Sequence, residues 1–420
     1  MRCVYSCLLA LLVCGSAYCK TAVPIVILLS IDGFSYEYLN KHQPSNILAL
    51  AKSGVIAKLQ PVYPSKTFPN HLSIITGAYP INHGIPNNNF YSPKLDENYY
   101  KGAGKNNSAW LTADPFWTVA QQQGFKTAVY FWPESEAKGK QPTYNIPYNK
   151  TDSNKVRLNQ VIKWLQLPSK QRPHFIASYF SSVDSAGHHY GPNSNELRKA
   201  VEDIDFLIGE FVSRLTNEVA HEVNLILVSD HGMLERDRTK IIKSSMIFDD
   251  SILKLIEAKA LTVAQNDTQL YIYFSKTKSP QIERLKIIKK ITNNQYSDNL
   301  FRLYSKGQYP QHWHLDRNIE IVPDIVLEAL PPATFVKDNY DIKSSNKGTH
   351  GYDPKNQEKL MGIFIATGPN IGKSKEIESF ENIHVFPFMS DILAIKQPQK
   401  IDGKSKILSS YLIKNKSKSQ

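Results

Sequence analysis

Runs of nearly continuous apolar residues alternate along this chain with segments whose apolar positions recur every three to four residues. Residues 23–30, Val-Pro-Ile-Val-Ile-Leu-Leu-Ser, form the first such run, as expected of a strand buried on both faces. It leads into Ile31-Asp32-Gly33, placing an acidic residue at the strand's C-terminal end. A helical segment up to Lys52 follows, with Gly54 as its stop, and residues 55–59 read as a second strand. Further on, 116–123 reads as helix, 127–131 as strand, 154–165 as an amphipathic helix and 174–180 as strand. Residues 196–215 read as a long helix, 224–228 as the next buried strand and 361–366 as the final one.

This alternation predicts an α/β fold: a mostly parallel central sheet with helices on both faces. Three of its strands deliver aspartates at their C-terminal ends, Asp32, Asp184 and Asp230, the edge where open α/β sheets hold ligands. From about 261 to 346 the texture changes. Residues 269–274 and 319–327 read as strands and 281–291 as a helix, which predicts a smaller inserted α+β subdomain. Residues 78–89 read as loop, and Gly348-Thr349-His350-Gly351 stands in a turn-rich setting.

The segment Tyr63-Pro64-Ser65-Lys66-Thr67-Phe68-Pro69-Asn70-His71 reads as a loop turning into a short helix. Pro69 suits a first helical turn and Gly77 a stop. Thr67 then lies at a helix N-terminus, where free N–H groups favour an anion. A hydroxyl there is placed to act as a nucleophile if something takes its proton.

With 420 residues the chain can bury a large core. Arg2 precedes an apolar run over 3–13, and Gly15-Ser16-Ala17 offers a small-residue cleavage site. The run is short for a bilayer span. Residues 1–19 are therefore expected to be a signal peptide, with the protein exported to a periplasm or the extracellular space. Residues 20–400 are expected to form the catalytic domain and 401–420 a basic, frayed tail. All four cysteines (Cys3, Cys7, Cys14, Cys19) lie in or beside the leader. Cleavage after Ala17 leaves only Cys19 and no intramolecular disulfide, which points to a bacterial envelope; a lipid-anchored Cys14 or Cys19 is the alternative. The net charge of +12 is dispersed, for instance over Arg284, Lys286, Lys289 and Lys290, without interleaved aromatics. No stable nucleic-acid partner is expected. A basic surface suits anionic small-molecule substrates and leaves weak association with an anionic membrane surface open.

His188 lies four residues after Asp184, His231 directly follows Asp230, and His350 is glycine-flanked. With Asp32 and Thr67 these are ligands of the kinds Zn²⁺ accepts. Asp184, His188 and His350 would hold one ion, and Asp32, Asp230, His231 and the Thr67 oxygen a second. Two such ions can clamp the attacking and leaving oxygens of a phosphoryl transfer. Two Zn²⁺ balanced by three aspartates and a threonine alkoxide leave a site near neutrality, better matched to a phosphodiester than to a monoester. His71, His83 and His189 are read as structural.

The motifs Ser30-Ile31-Asp32-Gly33, Thr67-Phe68-Pro69-Asn70-His71, His83-Gly84-Ile85, Asp184-Ser185-Ala186-Gly187-His188, Ser229-Asp230-His231-Gly232-Met233 and Gly348-Thr349-His350-Gly351-Tyr352-Asp353 together resemble the nucleotide pyrophosphatase/phosphodiesterase family of the alkaline phosphatase superfamily. The resemblance implies an alkaline-phosphatase-like fold, two zinc ions on the ligand sets above, and a covalent intermediate on Thr67. It also implies Asn88 as a donor to a non-bridging phosphate oxygen. Gln141 to Tyr148 is similar to a segment kept in nucleotide-cleaving members, so Phe68 and Tyr148 would sandwich a base. Lys66 would assist a leaving phosphate or simply be solvated. Glu134 departs from the family's usual glycine and would reshape the pocket rim. No cysteine-rich or nuclease-like unit is expected beside the domain, as in a minimal, single-unit bacterial version. Choline-phosphate or lysophospholipid diesters are the alternative substrates, monoesters another, and a non-catalytic envelope binding protein is the alternative of a different class. No Cys/Ser-x-Pro-x-Arg motif marks a sulfatase.

Overall fold

A computed structural model describes residues 23–413 except 276, 278–280, 294–299, 318–320, 344–345 and 374–375. The expected leader, all four cysteines and residues 414–420 lie outside the described residues.

An eight-stranded sheet runs in the order Phe380–Glu381, Val55–Gln60, Gly362–Thr367, Val223–Val228, Ile25–Ile31, Phe175–Phe180, Thr127–Tyr130, Tyr144–Ile146. Only the two pairings made by Gly362–Thr367 are antiparallel. The central strand Ile25–Ile31 is buried throughout because each face has its own core. Val26 and Leu28 pack into a cluster containing Leu72, Phe116 and Phe386. Ile25, Ile27, Leu29 and Ile31 pack into another containing Leu50, Val161 and Ile204. A strand covered on both sides cannot alternate in polarity, which is why its apolar run is continuous.

The helix Asn154–Leu165 has the bounds its periodicity predicts, and its N-cap Ser153 accepts from Val156 N–H. The segment after Phe180 is more ordered than its turn-like composition suggests: Ser182–Tyr190 is a helix. Residues 78–89 likewise contain a short helix, Pro80–His83. The inserted region builds an antiparallel four-stranded sheet from Leu261–Gln265, Gln269–Phe274, Phe301–Ser305 and Ile325–Ala329, with the helix Gln281–Asn293 and a separate core. Of the strand expected at 319–327, residues 319–320 lie outside the described residues; among the described ones the strand is Ile325–Ala329, after Pro323, which has no N–H to give a ladder.

Residues 401–413, expected to fray, are tied down. Asp402 and Gly403 N–H both donate to Gly77 O at 2.9 Å, Ile413 N–H donates to Asn370 O at 2.9 Å, and Leu408 is buried. Among the described residues no helix is long and apolar enough to cross a membrane.

Candidate functional site

Three parallel neighbours, Val223–Val228, Ile25–Ile31 and Phe175–Phe180, end side by side. Asp32 and Asp230 leave the first two, and Asp184 sits in the first turn of the helix after the third. Asp184 N–H donates to Asp32 O at 3.0 Å. This approach needs Gly33, which has φ +70° and whose added Cβ would lie 2.8 Å from Asp184 Cα. Because 182–190 is helical, Asp184 and His188 are four apart on one face. His350 arrives from far along the chain, where Gly348–Thr349 pairs with Leu234–Glu235 just after His231.

The expected ligands converge. His188 Nε2 is 3.4 Å from Asp184 Oδ1, and His350 Nε2 is 3.1 Å from His188 Nε2 and 3.7 Å from Asp184 Oδ1. His231 Nε2 is 2.9 Å from Asp230 Oδ2, 3.4 Å from Asp32 Oδ1 and 3.3 Å from Thr67 Oγ1. The His231 ring stacks on His350 with centroids 3.6 Å apart, so it borders both groups. Donor atoms of Asp184, His231 and His350 lie within 4.8 Å of one another, as do those of Asp32, Asp230 and His231.

The donor chemistry fits metal ions. His188 Nδ1 lies 2.9 Å from Gly348 O, and His350 Nδ1 lies 2.8 Å from Ser65 O. Carbonyls accept, so each Nδ1 carries the hydrogen and each Nε2 presents a lone pair. Two lone pairs 3.1 Å apart repel unless a proton or cation lies between them. Asp32 Oδ1, Asp184 Oδ1 and Asp230 Oδ2 are buried without hydrogen-bond donors, the arrangement that a cation would satisfy. Their other contacts fix them: Tyr179 OH donates to Asp32 Oδ2, and Gly33 N–H to Asp230 Oδ1 at 3.2 Å.

Electrostatics agree. Burial, reinforced by the like charges of Asp184 and Asp230, holds the Asp32 carboxyl well above the usual range. Burial alone would raise Asp230 too, but the imidazoles of His231 and His71 outweigh it and hold Asp230 well below. His231 is raised, its burial overcome by Asp230. His350 is held well below the ordinary histidine value by burial and by the positive charges of His231 and Lys66.

Thr67 opens the helix Thr67–Thr76, which ends on left-handed Gly77, as the sequence predicts. A cavity of about 380 Å³ begins at Thr67, Asp32 and Asp184 and has Phe68, Tyr148, Tyr179 and Lys101 among its walls. Phe68 is 8 % exposed and Tyr148 45 %. Tyr148 rests against Phe131 at 4.5 Å, with the Arg157 guanidinium 5.5 Å from its ring centre. Asn88 Oδ1 accepts Phe68 N–H at 3.1 Å, so the group it has left to offer a substrate is its Nδ2 donor.

Lys66 departs from the expected substrate contact. Its Nζ pairs with Asp267 and donates to His350 O at 2.8 Å, and the residue is 3 % exposed. His71 and His83 are structural as expected. His71 contacts Ser30 Oγ at 2.8 Å, Thr67 O at 2.9 Å and Asp230 Oδ2 at 3.2 Å, and His83 contacts Pro69 O at 3.1 Å. Glu134 lines the rim of the cavity. Its carboxylate accepts Tyr99 OH at 2.5 Å and the N–H groups of Gly102 and Gly104 at 3.0 Å, stapling the Lys101 loop against the pocket wall. The sequence reading missed Tyr179, Lys101 and Asp267. Tyr179 is hidden inside an apolar strand pattern, and Asp267 sits in a hairpin turn whose partners are remote in sequence.

The family model described as "Type I phosphodiesterase / nucleotide pyrophosphatase" matches residues 26–353. The chain is 36% identical over 379 residues to a venom phosphodiesterase of Naja atra, covering 88% of this chain and 44% of that protein. It is 33% identical over 380 residues to ectonucleotide pyrophosphatase/phosphodiesterase family member 1 of Homo sapiens, covering 88% of this chain and 40% of that protein. It is 30% identical over 388 residues to an uncharacterized pyrophosphatase/phosphodiesterase of Schizosaccharomyces pombe, covering 88% and 76% respectively. The chain thus spans less than half the length of the venom and human relatives. The structure of murine ectonucleotide pyrophosphatase/phosphodiesterase 5 superposes with a TM-score of 0.81 at 24% identity, over 93% of this chain and 100% of that one. The same protein's inactive variant has been solved in complex with AMP. The large sheet with helices on both faces is therefore the fold of that structure.

Proposed function

The chain belongs to the type I phosphodiesterase/nucleotide pyrophosphatase family, and from that premise we propose that it hydrolyses nucleotide phosphodiester or pyrophosphate bonds. The products would be nucleoside 5′-monophosphates, the cofactor two zinc ions, and the intermediate a nucleotidyl ester of Thr67. The observation that carries the reading is the position of Thr67. Its hydroxyl stands beside a buried set of metal-type donors and opens directly into a cavity walled by Phe68 and Tyr148.

Asp184, His188 and His350 would hold one ion, and Asp32, Asp230, His231 and Thr67 Oγ1 the other. When bound, zinc supplies the positive charge that lets the Thr67 hydroxyl ionise and that offsets the phosphate's negative charge. Thr67 Oγ1 then attacks phosphorus, its proton leaves to solvent, and the alcohol or phosphate on the far side departs with the electron pair of the broken P–O bond. Water hydrolyses the Thr67 ester, returning the hydroxyl and releasing the monophosphate. The helix N-terminus at Thr67 and Asn88 Nδ2 would donate to the non-bridging oxygens. Phe68 and Tyr148 would stack on the base, in keeping with the AMP held by the murine relative. Export, as the sequence predicts and as the names of venom and ectonucleotide relatives suggest, would put the reaction on extracellular or periplasmic nucleotides.

The test compares kcat/KM of the zinc-loaded protein on a nucleoside 5′-monophosphate nitrophenyl ester, nitrophenyl phosphorylcholine and nitrophenyl phosphate. Preference for the nucleotide ester is expected. Preference for phosphorylcholine would move the substrate to headgroup diesters and remove the base-stacking role. Thr67→Ala should abolish turnover while zinc stays bound, and an active variant would end the covalent mechanism.

A further inference from the structure

Lys66 directly precedes Thr67, and Thr349 directly precedes His350. Both side chains meet at one carboxylate, Asp267, in the turn between Leu261–Gln265 and Gln269–Phe274 of the inserted sheet. Asp267 Oδ1 pairs with Lys66 Nζ, and Asp267 Oδ2 accepts Thr349 Oγ1 at 2.7 Å. Lys66 Nζ also donates to the backbone carbonyl of His350 at 2.8 Å. The lysine reaches this point across Gly351. That residue has φ +113°, and a Cβ there would lie 2.2 Å from Lys66 Cε, so only glycine leaves the path open.

The turn that carries Asp267 is itself fixed. Phe335 N–H donates to Asp267 O at 2.8 Å. The neighbouring Asn266 side chain accepts Asn89 N–H at 3.1 Å and donates to Asn89 O at 2.9 Å. The carboxylate thus stands on a rigid hairpin and grips the residues immediately before the nucleophile and before one histidine of the metal-type cluster.

We infer that Asp267 is a positioning residue for the reaction at Thr67. By joining Lys66 to Thr349 it fixes Thr67 Oγ1 against His231 and His350 Nε2 against His188, so the inserted subdomain completes the active site rather than only covering it. Its kinetic consequence rests on the nucleophile and metal roles proposed above. Misplacing a reacting group by about 1 Å can cost roughly 100-fold, and the nearly buried ammonium of Lys66 loses its counter-charge when Asp267 is neutralised.

The experiment uses the full chain and two variants, Asp267→Asn and the double variant Lys66→Met with Asp267→Asn. On a nitrophenyl phosphodiester, Asp267→Asn is expected to lower kcat by roughly 10- to 100-fold with KM within about threefold. Zinc affinity, read by competition with a chromogenic chelator, should fall as well. The double variant, which removes both charges, should recover thermal stability without recovering kcat. A kcat and zinc affinity within twofold of the parent in Asp267→Asn would overturn the inference. So would a double variant that regains kcat together with stability, since Asp267 would then only neutralise Lys66. The imidazole ¹⁵N shifts of His188 and His350, read without metal or substrate, should move in Asp267→Asn; unmoved imidazoles would also overturn it. A parent protein that binds no zinc and cleaves no diester would sink the functional proposal instead, while the imidazole shifts still decide the role of Asp267.

Discussion

Glu328 is a buried acid behind the loop that presents His350, and its ionisation should be visible in the stability of the whole protein. It is 4 % exposed, and it accepts Tyr63 OH at 2.7 Å, Gln269 Nε2 at 3.0 Å and Asp353 N–H at 3.0 Å. Burial outweighs these donors and pushes the carboxyl from 4.5 up to about 8. In the unfolded chain it titrates near its ordinary value. Between those two values the native state holds a proton that the unfolded state has lost, so stability falls as pH rises through the window. About 3.5 pH units at about 1.4 kcal/mol each is on the order of 5 kcal/mol. With an unfolding entropy of about 2.1 cal/mol/K per residue over the chain, that corresponds to a Tm lower by roughly 6 °C above pH 8 than below pH 5. Other groups titrate over the same range, so the measurement is a difference: Tm against pH for the parent and for Glu328→Gln, which cannot ionise. The loss of one acceptor oxygen offsets the variant's whole profile, which should lack the downward slope between pH 5 and 8. Parallel profiles would refute the reasoning and show that the three donors keep Glu328 ionised at neutral pH.

Zinc at a thousandfold excess over its Kd should stabilise the fold by about 4 kcal/mol, roughly 5 °C in Tm by the same entropy; a Tm indifferent to zinc and to chelator would remove the metal assignment. Tyr148→Ala should raise KM roughly tenfold for nucleotide esters, in line with about 1–3 kcal/mol for a base stacked on an aromatic ring, and leave small aryl diesters unchanged. Equal effects on both substrates would show that the ring does not stack on the base. Glu134→Ala frees the 99–104 loop from its staple, so KM for nucleotide esters should rise several-fold, on the order of one lost hydrogen bond or two, with kcat retained; a fall confined to kcat would place Glu134 in the chemistry.

Where a structural feature depended on local pattern, the sequence showed it. The doubly buried strand 25–31, the helix 154–165 and the Thr67 helix with its Gly77 stop follow from residues that are neighbours in the chain. The metal-type set was legible because each Asp–His pair is local in sequence: Asp184 with His188, and Asp230 with His231. The helix Ser182–Tyr190 was not. Ser, Asp and Gly weaken helix propensity there, and tertiary packing decides the matter, with Met233 close against Gly187. The reversed direction of Gly362–Thr367 is set by its partners Val55–Gln60 and Val223–Val228, both remote in the chain. Lys66 was misread for a related reason, since its counter-charge Asp267 lies 201 residues away.

The same remoteness accounts for how the site is built. Three aspartates brought to one sheet edge repel one another. Like charges about 4 Å apart cost about 4 kcal/mol at an effective dielectric near 20, and this repulsion adds to the burial that raises the carboxyl of Asp32. A sheet edge alone could relieve that by turning the carboxylates toward water. Here Tyr179 holds Asp32, Gly33 N–H holds Asp230, and the Asp184 backbone is drawn against Asp32, so each leaves one buried oxygen undonated. The histidines are fixed the same way, with Nδ1 on a backbone carbonyl and Nε2 facing inward. The groups that impose this are remote from one another in the chain: Gly33 and Tyr179 lie at the main sheet's edge, Ser65 just before the Thr67 helix, and Gly348 beyond the insertion. Their combined effect is a cluster of negative oxygens and nitrogen lone pairs whose mutual repulsion is relieved by cations, and two divalent ions would leave it near neutral once Thr67 ionises. With both ions bound, a singly charged diester would meet a site whose charge it does not have to fight, whereas a doubly charged monoester would gain no further partner for its second charge.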